Sequence, residues 1–133
     1  MYKTVKKNVN KMILTYGLNE NENKAIDNIK LGNTKLEHKI IEKSMVGNKL
    51  KDIVNGNISS NNSKNLPDEK VVLFNDVSED ELNKLIYNIK KSFDVKPIFA
   101  VITKTSCEWT FDYLLENLID EREWFKKQQQ NKK

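Results

Sequence analysis

Cysteine and histidine each occur once in 133 residues. One cysteine excludes an intrachain disulfide framework. One cysteine with one histidine cannot close a structural zinc site. Neither phosphate-cradling fingerprint, G-x-G-x-x-G or G-x-x-x-x-G-K-[ST], follows an apolar run. No apolar run approaches the roughly 18–20 residues of a membrane-spanning helix. In the basic opening stretch MYKTVKKNVNKMILTYGLNE the apolar part is MIL, too short for a signal-peptide core. The expectation from these absences is a cytoplasmic protein without a metal or cofactor.

Arginine is scarce as well: Arg122 is the single one among 23 basic residues, although Arg suits bidentate phosphate contacts better than Lys. The formal charge of +4 is unevenly spread. Lys3, Lys6, Lys7 and Lys11 lie at one end and Lys126, Lys127, Lys132 and Lys133 at the other, with no acid among them. Residues 12–125 carry 15 basic and 19 acidic residues and are net acidic. A nucleic-acid-binding face belongs on the folded body, so nucleic acid is not the expected partner. RNA binding through the lysine-rich ends ranks third among the functional readings.

What is present is a pattern that occurs twice. MILTYGLNENE, from Met12, and VVLFNDVSEDE, from Val71, are each an apolar strand, a small or polar turn, an apolar residue and a helix cap. Ser78 and Glu81 form an S-x-x-E capping box, flanked by Val77 and Leu82 at the staple positions. Asn19 and Glu22 take the corresponding N-cap and N3 places, 59 positions earlier. After the second cap, Leu82, Leu85, Ile86, Ile89 and Phe93 line one helical face. After the first, Ala25, Ile26, Ile29 and Leu31 predict a shorter helix that Gly32-Asn33 ends.

A second strand is expected in each half, over His38–Lys43 and Ile98–Thr103. A second helix follows in each, carrying Val46, Leu50, Ile53 and Val54 in one and Phe111, Leu114, Leu115, Leu118 and Phe125 in the other. The fold class is therefore α/β: a four-stranded, mostly parallel sheet built from two β-α-β-α halves, with helices on the sheet faces. VVLF and IFAVI are continuous apolar runs, as strands buried on both faces require. The expected strand order is 2-1-3-4, with the leading strands of the two halves as neighbours. Residues 1–11 read as a basic tail, 12–126 as one domain with halves 12–54 and 70–126 joined by the Asn/Ser-rich loop 55–69, and 127–133 as a disordered tail.

The run KVVLFNDVSEDELNKLIYNIKKSFDVKPIFAVITKTSCEWTFDYLLENL resembles the bacterial family known as domain of unknown function 3783. The likeness covers roughly residues 70–125. It is carried by Val72-Leu73-Phe74, by Ala100-Val-Ile-Thr103 with Thr105, and by Trp109-Thr110 followed by Leu114. The chain departs from the family pattern at Ser106, where asparagine is common. The resemblance implies an α/β fold and carries over no catalytic residues.

Two groups of residues are candidates for function. The strand-end crevice of an open α/β sheet would be lined by Tyr16, Gly17, Asn75, Asp76, Thr103, Thr105 and Ser106. Its hydroxyls and helix N–H groups could hold an anion, although Asp76 would repel phosphate and turn chemistry explains the same residues. Trp124 and Phe125, near the end of the last helix, are candidates for a docking surface, with Phe125 expected to pack. Cys107 is read as an inert small residue, with His38 as the only histidine that could serve it as a base. Thr110 is expected to cap the last helix and Trp109 to close over the core. The leading reading is a non-enzymatic interaction or regulatory module that works through a protein partner or self-association. The alternative is a small-molecule or nucleotide binder using the crevice.

Overall fold

The computed structural model describes residues 11–31, 34–59 and 66–130. In chain order the elements are β1 (Met12–Tyr16), α1 (Glu20–Asp27), β2 (Lys30–Leu31), β3 (Thr34–Lys35), β4 (Glu37–Ile40), α2 (Leu50–Asn55), β5 (Val71–Asn75), α3 (Glu79–Ser92), β6 (Ile98–Val101) and α4 (Phe111–Gln130). The described residues divide into two compact units. One is drawn from Met1–Glu42 and Pro67–Thr103, the other from Lys43–Leu66 and Lys104–Lys133. The boundaries fall after Glu42 and Thr103, inside the two sequence halves, and after Leu66, inside the loop between them.

The first unit holds a four-stranded sheet of order β4-β1-β5-β6, which is the expected 2-1-3-4. β1 pairs with β4 in parallel, and β5 with β6 in parallel, each across a helical connection. The central pair, β1 with β5, is antiparallel, in the register Met12↔Asn75 to Tyr16↔Val71. The path of the chain explains this sense. β4 finishes beside Thr15, and β5 starts beside Tyr16. The chain re-enters the sheet at the end where it left, and the segment between has no need to recross it.

The apolar runs follow from burial on both faces. Ile13, Val72 and Phe74 join Ile26 of α1, Leu85 and Ile89 of α3, Leu36 and Phe93 in one core cluster. Phe74 stacks on Phe99 at 6.2 Å between centroids. Helices α1 and α3 thus cover the same sheet face. Leu14 and Leu73, which point the other way by the alternation of a strand, are also buried.

Both caps form as the sequence predicts. The Asn19 and Ser78 side chains accept from the N–H groups of Glu22 and Glu81, and each glutamate accepts from its cap residue's N–H. α1 is shorter than its apolar period suggests. It ends at Asp27; the N–H of Asn28 donates to the Lys24 carbonyl at 3.2 Å and that of Ile29 to the Ile26 carbonyl at 3.1 Å. Leu31 belongs to a small antiparallel ladder with β3. Gly32 and Asn33 lie outside the described residues.

In the second unit, a 3₁₀ turn at Lys43–Met45 precedes α2, so Val46 is buried ahead of the helix and not on it. Another 3₁₀ turn, Ser106–Glu108, leads into α4. The two segments are stitched by backbone: Leu50 N–H donates to Trp109 C=O at 2.8 Å, Phe111 N–H to Asn48 C=O at 3.2 Å and Asp112 N–H to Val46 C=O at 3.0 Å. α4 extends through Gln130, so residues 127–130 are helical. Among the described residues no helix is long and apolar enough to cross a membrane.

Candidate functional site

The antiparallel β1–β5 pair divides the expected crevice. Tyr16 faces Val71, and Asn75 faces Met12. Tyr16 and Gly17 therefore stand at one end of β5, and Asn75 and Asp76 at the other, about 13 Å away by strand rise. β6 runs with β5, so Thr103 follows β6 at the Asp76 end. Ligands gather at strand carboxyl ends where neighbouring strands share a direction, and β1 and β5 do not. Thr105 is exposed and Ser106 buried, both in the second unit. Within the first unit, Tyr16 and Gly17 therefore do not share a strand end with Asn75, Asp76 and Thr103.

What the turns need explains several of them. Gly17 has φ +78°, and a Cβ there would come within 2.1 Å of the Glu69 carbonyl oxygen. Asp76 also has a left-handed backbone, φ 60°, which short polar side chains tolerate better than most. Tyr16 ionises above the usual tyrosine range because burial, and then the Asp68 charge, disfavour its phenolate.

The structure places His38 in a chain of polar contacts that its sequence position does not announce. Its Nδ1 lies 2.6 Å from the Asp27 carboxylate and its Nε2 2.8 Å from Thr15 Oγ1. The Thr15 hydroxyl also reaches Asn23 Oδ1 at 3.1 Å. Acid, imidazole and hydroxyl stand in the order of a nucleophile relay. Thr15, however, is 1% exposed, and a buried hydroxyl cannot meet a substrate. The contacts tie α1 to β1 and β4. Both imidazole nitrogens are engaged there. The legible signal was the spacing of Asn23 and Asp27, four apart on α1, together with a lone threonine in an otherwise apolar strand.

Around Cys107 the chain makes a 3₁₀ turn. The thiol donates to the Lys104 carbonyl at 3.2 Å. Neighbouring Glu108 accepts from Lys51 at 3.0 Å and has Lys49 at 3.6 Å. The Lys51 hydrogen bond, before its charge, holds the Glu108 carboxyl below the usual range. The start of α4 corrects the expected cap. The Thr110 hydroxyl donates to the Asp112 carboxylate instead of accepting from the helix. The first N–H groups go to Asn48 and Val46, and that of Tyr113 goes to Asp112. Trp109 is half-buried, edge-on to Tyr113 at 4.9 Å.

Farther along α4, Trp124 is 55% and Phe125 53% exposed. Phe125 does not pack into a core as expected. Its ring meets that of Trp124 edge-on, 5.2 Å between centroids at 79°. The flanking residues Asp120, Glu121, Lys127 and Gln128 are exposed too. An open cleft of about 480 Å³ lies between Ala25, Asn28, Ile29 and Lys30 on one side and Asn88, Lys91 and Ser92 on the other. Among the described residues no three His, Cys, Asp or Glu side chains gather to hold a metal ion.

Residues 70–125 match the family model described as Domain of unknown function (DUF3783). The DUF3783 segment spans β5, α3, β6 and α4 as far as Phe125. It includes Asp76, Cys107 and Trp124 and leaves out Tyr16, Gly17 and His38. No curated protein and no solved structure matches the chain.

Proposed function

We propose that this chain is a non-enzymatic interaction module, cytoplasmic and regulatory in role, that docks on a protein surface through α4. The observation that carries this reading is the pair of large aromatic rings, Trp124 and Phe125, adjacent, mutually packed and more than half exposed. Exposed aromatic clusters are costly to leave in water and are enriched where proteins bind. Several polar groups elsewhere are engaged in holding the fold: His38 in its chain of contacts, Glu22 and Glu81 in caps and ion pairs, Glu108 with lysines.

The proposal extends to the framework. We read the chain as two copies of one unit, offset by 59 positions. The support is the recurrence of matching features at that offset: left-handed backbone at Gly17 and Asp76, capping boxes starting at Asn19 and Ser78, and ion pairs in which Lys11 meets Glu81 while Lys70 meets Glu22.

Photocrosslinking in cells tests the docking role. A photoreactive phenylalanine at position 124 should give a defined covalent adduct, and one at Tyr87, 64% exposed on α3, should not. Equal labelling at both positions, or none at position 124, would contradict the proposal.

A further inference from the structure

We infer that the surface docked by α4 is α4 of a second copy of this chain, lying antiparallel to the first about a two-fold axis near Trp124. The inference rests on the docking role proposed above and names its partner. It is carried by the charge order along the exposed end of the helix. Residues three and four apart share a helix face, so Asp120, Glu121, Trp124, Lys127 and Gln128 lie along one stripe, all exposed. Acidic residues stand before Trp124 and a basic and an amide residue after it, at matching distances.

In a two-fold pair the residue n positions before the axis on one helix meets the residue n positions after it on the other. With the axis at Trp124, Glu121 of each copy faces Lys127 of the other, and Asp120 faces Gln128. The two indole rings meet at the centre, with Phe125 broadening the apolar patch from its edge-on position. Every charged position on the stripe thus gains an opposite charge or an amide. A parallel pairing would set Glu121 against Glu121 and Lys127 against Lys127. An interface of this length is small and belongs to the class that dissociates readily.

Sedimentation velocity on the full chain, from micromolar into the high-micromolar range, tests the inference. The wild-type protein is expected to pass from monomer to dimer as concentration rises, and W124A to remain monomeric. E121K and K127E, each alone, place like charges at both ends of the pair and raise the dissociation constant about tenfold or more. Mixed together they restore opposite charges at both ends, and the heterodimer forms as tightly as the wild type. Circular dichroism of the variants confirms that each is folded.

A wild-type chain that stays monomeric throughout, or a mixture no tighter than its components, overturns the second copy as partner. If the position-124 adduct then contains a different protein, the docking role survives with another occupant. If there is no adduct, both ideas fall.

Discussion

The Lys70 ammonium stands 2.6 Å from the carboxylate of Glu22, the residue that also completes the cap of α1. Lys70 immediately precedes β5, so this contact fastens a helix start to a neighbouring strand's start. The same relation links Lys11, just before β1, with Glu81 of the α3 cap, also at 2.6 Å. The two differ in depth: the Glu22 side chain is 10% exposed and that of Glu81 25%.

That difference ranks two substitutions. Removing a cation from a more buried carboxylate leaves the larger desolvation cost unmet. Lys70→Ala should therefore destabilise the protein more than Lys11→Ala, with Lys11→Ala costing under about 1 kcal/mol. Urea unfolding of both variants checks the order. Equal midpoints would show that neither depth nor the shared cap matters.

Acid should act through Glu81. Its folded pKa is lowered, first by the Lys11 hydrogen bond and then by the Ser78 N–H. A lowered carboxyl pKa gives stability that is present above the unfolded value, about 4.3, and is lost as pH falls through the folded value. The wild type should lose stability below about pH 4.3 more steeply than Glu81→Gln. Unfolding midpoints across acidic pH, compared for the two proteins, read this directly.

Two turns with the same backbone sense should respond unequally. Gly17→Ala meets both a left-handed φ and the Glu69 carbonyl, and should cost more than about 2 kcal/mol. Asp76→Gly relieves a side chain at φ 60° and should change stability by less than about 1 kcal/mol in either direction. Denaturant titration separates the two.

The Thr15 hydroxyl is buried between Asn23 and His38. Thr15→Val keeps the shape and removes the oxygen, leaving His38 Nε2 without its partner. The expected loss is about 1–3 kcal/mol, seen in urea, with the oligomeric state unchanged. A Thr15→Val protein as stable as the wild type would mean that the contacts are incidental.

Much of the architecture was legible because local rules and burial agreed. The capping boxes at Asn19 and Ser78, the face Leu85–Ile89 of α3 and the neighbouring β1 and β5 all followed from spacing. Strand direction did not. MILTY and VVLFN are buried nearly throughout, and a strand apolar on both faces reads the same in either sense. The connection between them is long enough to permit both. That one undetermined sense set Tyr16 and Gly17 apart from Asn75, Asp76 and Thr103. The His38 contacts were hidden because Thr15, Asn23, Asp27 and His38 meet only once β1 and β4 are paired. Phe125 was misread for a different reason. It continues the apolar period of Phe111, Leu114 and Leu118, yet it stands beyond the part of α4 where residues are buried.

The role of α4 can be read from two indole N–H signals. Trp109 and Trp124 are the only tryptophans, and W124F assigns their cross-peaks in a ¹⁵N–¹H correlation spectrum. Diluting the labelled full chain should shift or sharpen the Trp124 signal while that of Trp109 stays fixed. A Trp124 signal that holds its place and width across the whole concentration range, or one that moves together with Trp109, would contradict self-association through this face.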